Sequence, residues 1–202
     1  MSLRLLIASL LAMIAVPAVA ADVTVAVTDD SGRAVANAVV VIDAAGARPA
    51  PRRFTISQHD MMFMPEVLVV PVGSTVTFGN LDPFRHHVYS FSEAKKFELK
   101  LFGQGEQRAV TFDKAGLVAI GCNIHDQMQA FIQVVDTPFA HKTDASGRVT
   151  LRGLPAGAFR LHVWHPYLRA PANELVVAVA AGTATLPVSV RLRRPAPIQH
   201  GY

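Results

Sequence analysis

After position 21 the chain alternates. Val23, Val25 and Val27 are separated by polar or small residues, the period-2 pattern of a half-buried strand. Asp29-Asp30-Ser31-Gly32 supplies a turn, and Val35 to Ile42 is rich in β-branched residues, so the pattern predicts a hairpin here. The small and prolyl stretch from Ala44 to Arg53 suits neither a helix nor a central strand and marks a boundary. Beyond it, strands are expected at Glu66–Val72, Thr75–Asn80, His87–Ser92, Phe97–Phe102, Arg108–Asp113, Leu117–Gly121 and Ala130–Val135, with one helical turn at Ser92–Lys96. Gly73, Asp82-Pro83, Gly103, Gly105 and Gly116 punctuate them. Short strands at this near-regular spacing predict a Greek-key sandwich or barrel.

After Pro138 the pattern changes. Strands are expected around Val149-Thr150-Leu151, over Phe159–Trp164, and at Leu175–Val179 and Thr185–Leu192. The N-terminal hairpin is too small to bury a core alone, but with these strands it completes a compact sandwich. The segments "VTVAVTDDSGRAVANAVVVIDAAG" and "TDASGRVTLRGLPAGAFRLHVWHP" resemble the two halves of a carboxypeptidase-regulatory-like, transthyretin-type β-sandwich. In that family the halves are nearly contiguous, so the resemblance implies that the middle block is inserted between them. Insertion at an exposed loop costs little when the ends of the insert lie close together. The expected fold class is thus all-β, with a signal peptide over 1–20, sandwich halves over 22–47 and 141–192, a central domain over 54–136 and a tail over 193–202.

The first twenty residues carry Arg4, an apolar run from Leu5 to Val16 and the small triplet Ala18-Val19-Ala20, the layout of a secretory signal peptide cleaved after Ala20. The apolar run is short for a membrane span, so an exported, periplasmic protein without stable membrane insertion is expected. The formal net charge of +4 is spread without a long basic block; Arg191-Leu192-Arg193-Arg194 is the nearest to one. Nothing in it points to nucleic acid or lipid.

Export makes one residue awkward. Cys122 is the only cysteine, so no disulfide within the chain is available in an oxidising compartment. It sits in Gly121-Cys-Asn-Ile-His-Asp-Gln-Met128, where two residues separate Cys122 from His125 and His125 from Met128. Thiolate and thioether suit Cu(I), and imidazole suits both copper oxidation states. A further histidine would complete a trigonal copper site with a long axial methionine, and Asn80-Leu-Asp-Pro-Phe-Arg-His86-His87 supplies two candidates. Strand alternation groups His87 with Tyr89 and Phe91 and points His87 inward. Zinc is the competing metal, although it more naturally recruits a fourth N, O or thiolate ligand than a thioether. Met61-Met62-Phe63-Met64 reads as a strand packing its side chains against the sandwich, with a Cu(I)-transport role, assisted by His59, as the other reading. His162 and His165 fall on opposite faces of a strand and share no ligand. No Ser/His/Asp set, paired-carboxylate cleft or phosphate loop stands out, so enzyme activity is not expected.

From Phe54 to Asp136 these features resemble a cupredoxin. Cys-x₂-His-x₂-Met resembles the ligand loop of amicyanin, His86-His87-Val resembles the His-Asn-Val that carries the family's first histidine, and "MFMPEVLVVPVGSTVTFGNLD" resembles its early strands. The resemblance implies a type 1 site of His86, Cys122, His125 and Met128 holding one copper per chain, with His87 in the place of an asparagine that orients the ligand loop. Asp126 and Gln127 depart from the apolar, prolyl residues of the amicyanin loop, which implies a different partner. The whole arrangement resembles exported proteins labelled methylamine-utilisation proteins, which implies a redox context. The expected function is a one-electron carrier between redox proteins. A copper-delivery protein, and an adhesion or assembly module with a passenger cupredoxin, are the alternatives.

Overall fold

The computed structural model describes residues 21–193; the segment 1–20 and all but the first residue of the tail lie outside them. The described chain is all-β, with one 3₁₀ turn at Pro171–Asn173. Among the described residues no helix is long and apolar enough to cross a membrane.

Strands β1 (Ala21–Asp29) and β2 (Val39–Ile42) precede the central block. The central block comprises β3 (Arg53–His59), β4 (Met62–Met64), β5 (Val67–Pro71), β6 (Ser74–Asn80), β7 (His86–Ser92), β8 (Lys95–Phe102), β9 (Gln107–Phe112), β10 (Gly116–Cys122) and β11 (His125–Val135). Strands β12 (Ala140–Lys142), β13 (Arg148–Leu154), β14 (Phe159–Trp164), β15 (Glu174–Val179) and β16 (Thr185–Val190) follow it. The central sheets run β4-β3-β6-β9 and β5-β11-β10-β7-β8; the flanking sheets run β13-β1-β16 and β12-β2-β14-β15.

Strand β1 alternates as expected, with Val23, Val25 and Val27 almost completely buried. The expected hairpin with β2 does not form. β1 pairs with β13 and β16, whereas β2 pairs with β12 and β14, so the two strands lie in different sheets and enclose one core. Facing sheets let both strands bury an apolar face, which a two-stranded ribbon cannot do. The expected helical turn at Ser92–Lys96 is also absent: β7 and β8 form a tight hairpin through Glu93-Ala94, with Ser92 opposite Lys95. Cross-strand pairing overrides the local helical preference here.

The chain leaves the flanking sandwich after β2 and returns at β12, and these two strands are paired, with Ala140 opposite Val41. The Ile42 N–H donates to the Phe139 carbonyl at 2.9 Å. The central block therefore starts and ends at one place. The start of β3 and the end of β11 lie at that linker end, while His59, Asn80, His86, Cys122 and His125 terminate their strands at the other.

The two sandwiches also meet sheet on sheet. Val39, Val67 and Trp164 are buried together with Val41, Val69, Leu117 and Phe131 around them, and Trp164 packs edge-on against Phe131 with ring centroids 5.3 Å apart. Lys142 Nζ donates to the Val67 carbonyl, and the Tyr167 hydroxyl donates to Glu66 Oε1. Trp164→Ala is expected to destabilise the protein by about 3–5 kcal/mol, the usual cost of truncating a buried aromatic. Calorimetry is expected to show one unfolding transition becoming two as the sandwiches uncouple.

His165, buried in the flanking sandwich, gives a pH test. Burial lowers its pKa, more than the Ala36 backbone contact raises it. The unfolded chain therefore takes up this proton first, and stability present above about pH 6.5 is lost as pH falls toward the depressed folded value. Thermal unfolding between pH 7.5 and 5 is expected to show this loss in the wild type, and less of it in His165→Gln.

Candidate metal centre

Strand β10 ends at Cys122 and β11 begins at His125, with a two-residue connection through Asn123-Ile124, so the two residues face each other as a ladder pair. The next pair is Gly121 with Gln129, which leaves Asp126, Gln127 and Met128 looped out on the β11 side. Such a bulge re-aims side chains that strict alternation would send to opposite faces. Met128 is consequently buried in the same core cluster as Cys122, continuing the inward series of Ala130, Ile132 and Val134.

His86 opens β7, whose pairing with β8 is irregular between His86 and Val88. Its ring is completely buried, with Nδ1 3.9 Å from Cys122 Sγ, and His125 Nδ1 lies 3.7 Å from the same sulfur. One donor atom from each of His86, Cys122 and His125 falls within 4.8 Å of the other two. Metal–sulfur and metal–nitrogen bonds of about 2.3 and 2.0 Å in a trigonal plane place sulfur and nitrogen about 3.7 Å apart. The donors are spaced to fit a metal.

The histidine pair separates cleanly. His87 turns its Nε2 to Glu98 Oε1 at 3.0 Å, stacks near Tyr89 on the outer face of the sheet, and leaves Nδ1 without a partner. The loop-orienting role that the resemblance implied for His87 is therefore not observed, because successive residues on a strand face opposite sides. Asp82 does the orienting instead. Its Oδ2 lies 2.7 Å from His86 Nε2, and its carboxylate accepts N–H bonds from Asp60 at 2.8 Å and Met61 at 3.1 Å. Burial opposes its ionisation, but the His86 ring and those two N–H groups outweigh it and hold the carboxyl below the usual aspartate range. An ionised carboxylate only accepts, so His86 Nε2 carries a proton and it is Nδ1 that is turned toward the sulfur.

Asn80 fixes the loop that brings Asp82 there. Its side-chain oxygen accepts the Asp82 N–H, and its Nδ2 donates to the carbonyls of Phe84 at 2.7 Å and Phe102 at 3.0 Å. Phe84 lies 5.1 Å from the His86 ring and 5.7 Å from that of His125, centroid to centroid. His125 is half-buried; desolvation lowers its pKa, His86 adds to this and Asp82 opposes it, which favours the neutral, ligating ring.

The Met61–Met64 segment departs from expectation. Only Phe63 packs inward, while Met61, Met62 and Met64 are 42%, 45% and 51% exposed. A strand of three residues offers one side chain to the core and directs its neighbours outward. His162 contacts Asp43 and Glu174 at the surface and His165 is buried, and neither is brought to the copper donors.

One family match agrees with this chemistry. Residues 52–135 match the family model described as copper binding proteins of the plastocyanin/azurin family. Similar solved structures include a purple cupredoxin from Nitrosopumilus maritimus, 22% identical over 40% of this chain and 98% of that one, with a TM-score of 0.37. A reduced amicyanin mutant is 20% identical over 48% and 98%, with a TM-score of 0.39. The copper-containing nitrite reductase NirK from Thermus scotoductus SA-01 is 28% identical over 56% of this chain but only 28% of its own length, with a TM-score of 0.40. No curated protein matches the chain. The central block, residues 52–135, is a cupredoxin: a copper-binding domain of the plastocyanin/azurin family.

Proposed function

We propose that the protein is an exported one-electron carrier of the periplasm, holding one copper through His86, Cys122, His125 and Met128. The observation that carries this reading is the spacing of two imidazole nitrogens at 3.7 and 3.9 Å from one buried sulfur. Copper, when bound, supplies the Cu(II)/Cu(I) couple. The chain's own residues do the rest. Cys122 and His86 exclude water by burial, Asp82 holds the His86 tautomer, and strands closed around a common core resist rearrangement on a change of metal charge. Met128 provides the weak thioether that tunes the potential.

His125 is the donor nearest solvent. Exposed Leu81, Phe84 and Ile124 surround its end of the domain, at 53%, 42% and 49% exposure. An apolar rim of this kind suits brief docking of a redox protein, and the adjacent Asp126 and Gln127 give it a polar edge. Such a carrier has no substrate of its own. The two residues that separate Cys122 from His125 and His125 from Met128, and an export signal that makes an unpaired thiol costly, support the same reading.

Titration of the purified protein with Cu(II) is expected to give an intense visible band that saturates at one copper per chain and vanishes in Cys122→Ser. A colourless copper complex of the wild type would rule out a thiolate-held centre. Asp82→Asn is expected to weaken copper affinity about 10–100-fold, the usual effect of removing a group that orients a ligand. Competition with a chelator measures it, and affinity unchanged from wild type would show that Asp82 does not position His86.

A further inference from the structure

Among the described residues, the soft donors outside the copper centre collect on one hairpin. Of six methionines, Met1 and Met13 precede the described residues, Met128 belongs to the copper centre, and Met61, Met62 and Met64 lie on the β3–β4 hairpin. Alternation turns Phe63 into the core and leaves Met62 and Met64 on the outer face. Across the ladder Met62 stands opposite His59 and Met64 opposite Ser57, so His59 shares that outer face. Met62, directly opposite His59, brings its Cβ atom within about 5.5 Å, and Met64 lies diagonal to His59 at about 7–8 Å. An imidazole and two thioethers are therefore neighbours on one exposed surface.

The histidine is uncommitted. Its Nδ1 lies 3.5 Å from Asp82 Oδ1 and its Nε2 3.6 Å from Asp60 Oδ2, long for hydrogen bonds, and its side chain is 52% exposed. The turn beneath it is strained, since Asp60 and Met61 both take left-handed φ values, 52° and 56°, without glycine. The Asp82 carboxylate holds that conformation through the N–H groups of both residues. Strain maintained by a buried partner is a feature of functional segments. Here it fixes the turn that joins His59 to Met62.

We propose that the outer face of the β3–β4 hairpin is a second metal site, for a soft monovalent cation of the Cu(I) class, with His59, Met62 and Met64 as ligands. Thioethers are neutral, soft donors that select Cu(I) over zinc, calcium or magnesium, and imidazole accompanies them readily. The carboxylates of Asp60 and Asp82, grouped with His59 within 4.8 Å, compensate a cation's charge without needing to ligate it. Asp82 touches both His59 and His86, so a cation here sits one side chain from the buried donors. The site rests on the hairpin alone and is independent of the electron-carrier reading.

The test uses the full chain with ¹³C-labelled methionine methyls, titrated with Cu(I) and separately with redox-inert Ag(I). The methyl signals of Met62 and Met64 are expected to shift to saturation in both the wild type and Cys122→Ser. The double variant Met62→Leu, Met64→Leu, altered only at exposed positions, is expected to bind one equivalent of Cu(I) less than wild type while keeping its Cys122-dependent Cu(II) band. Shifts confined to Met128, or unchanged Cu(I) stoichiometry in the double variant, would overturn the proposal and leave the exposed methionines as a protein-docking surface. Loss of the visible band with the hairpin shifts intact would instead count against the carrier reading alone.

Discussion

One buried carboxylate ties the β3–β4 turn, the end of β6 and the start of β7 together at the copper end of this molecule. Asp82 is 3% exposed, and a charge so placed must be fully partnered to be tolerated. Its partners are the His86 ring and the N–H groups of Asp60 and Met61, while its own N–H is held by Asn80. Those partners come from the end of β6, the start of β7 and the β3–β4 turn. Satisfying one side chain therefore fixes the tautomer of a copper donor, the loop before it and the orientation of a neighbouring hairpin. Removing the charge would leave several groups unpaired at once, which is why the constraint is cooperative rather than local.

The fold was legible where alternation is local. Val23, Val25 and Val27 gave a strand with the correct buried face, and the punctuation by Gly73, Gly103 and Gly116 separated the central strands. Pairing was less legible, because β1 and β2 carry no mark of whether they face or adjoin one another. The inward histidine shows the same limit. Alternation grouped His87 with Tyr89 and Phe91 as the apolar set, yet this face points outward: Phe91 is 80% exposed, and the Tyr89 ring lies over Gly121, where an added Cβ would meet it at 3.1 Å. An outer face that carries its own row of aromatics defeats a count of apolar residues. The motif around His86, rather than the periodicity, pointed to the ring that the structure places beside the sulfur.

Within the candidate site, the spacing of Cys122, His125 and Met128 could be read directly because all three lie on one hairpin. Asp82 could not be read that way. In the sequence it is half of an Asp-Pro turn signal, and its importance depends on β3, β6 and β7 arriving at one end of the sandwich. The exposed methionines were hidden by the same gap: their composition resembles core, and only the three-residue length of β4 shows that a single side chain can be buried.

The placement of the central domain follows from the same geometry. Its linkers join the flanking sandwich at the start of β3 and the end of β11, and β11 runs eleven residues from His125 to Val135. Its partner β10 covers the same span in seven residues, Gly116 to Cys122, because three residues of β11 are looped out; at about 3.3 Å per residue the copper end stands roughly 20 Å from the linkers. The Trp164–Phe131 contact and the hydrogen bonds of Lys142 and Tyr167 then hold one outer sheet of the cupredoxin against its mount. Among the described residues, a domain held at its far end and along one face keeps its metal end clear of the flanking sandwich. This leaves the rim of Leu81, Phe84 and Ile124 and the hairpin of Met62 and Met64 open together, so a docking redox protein and an arriving soft cation would approach neighbouring parts of the same surface.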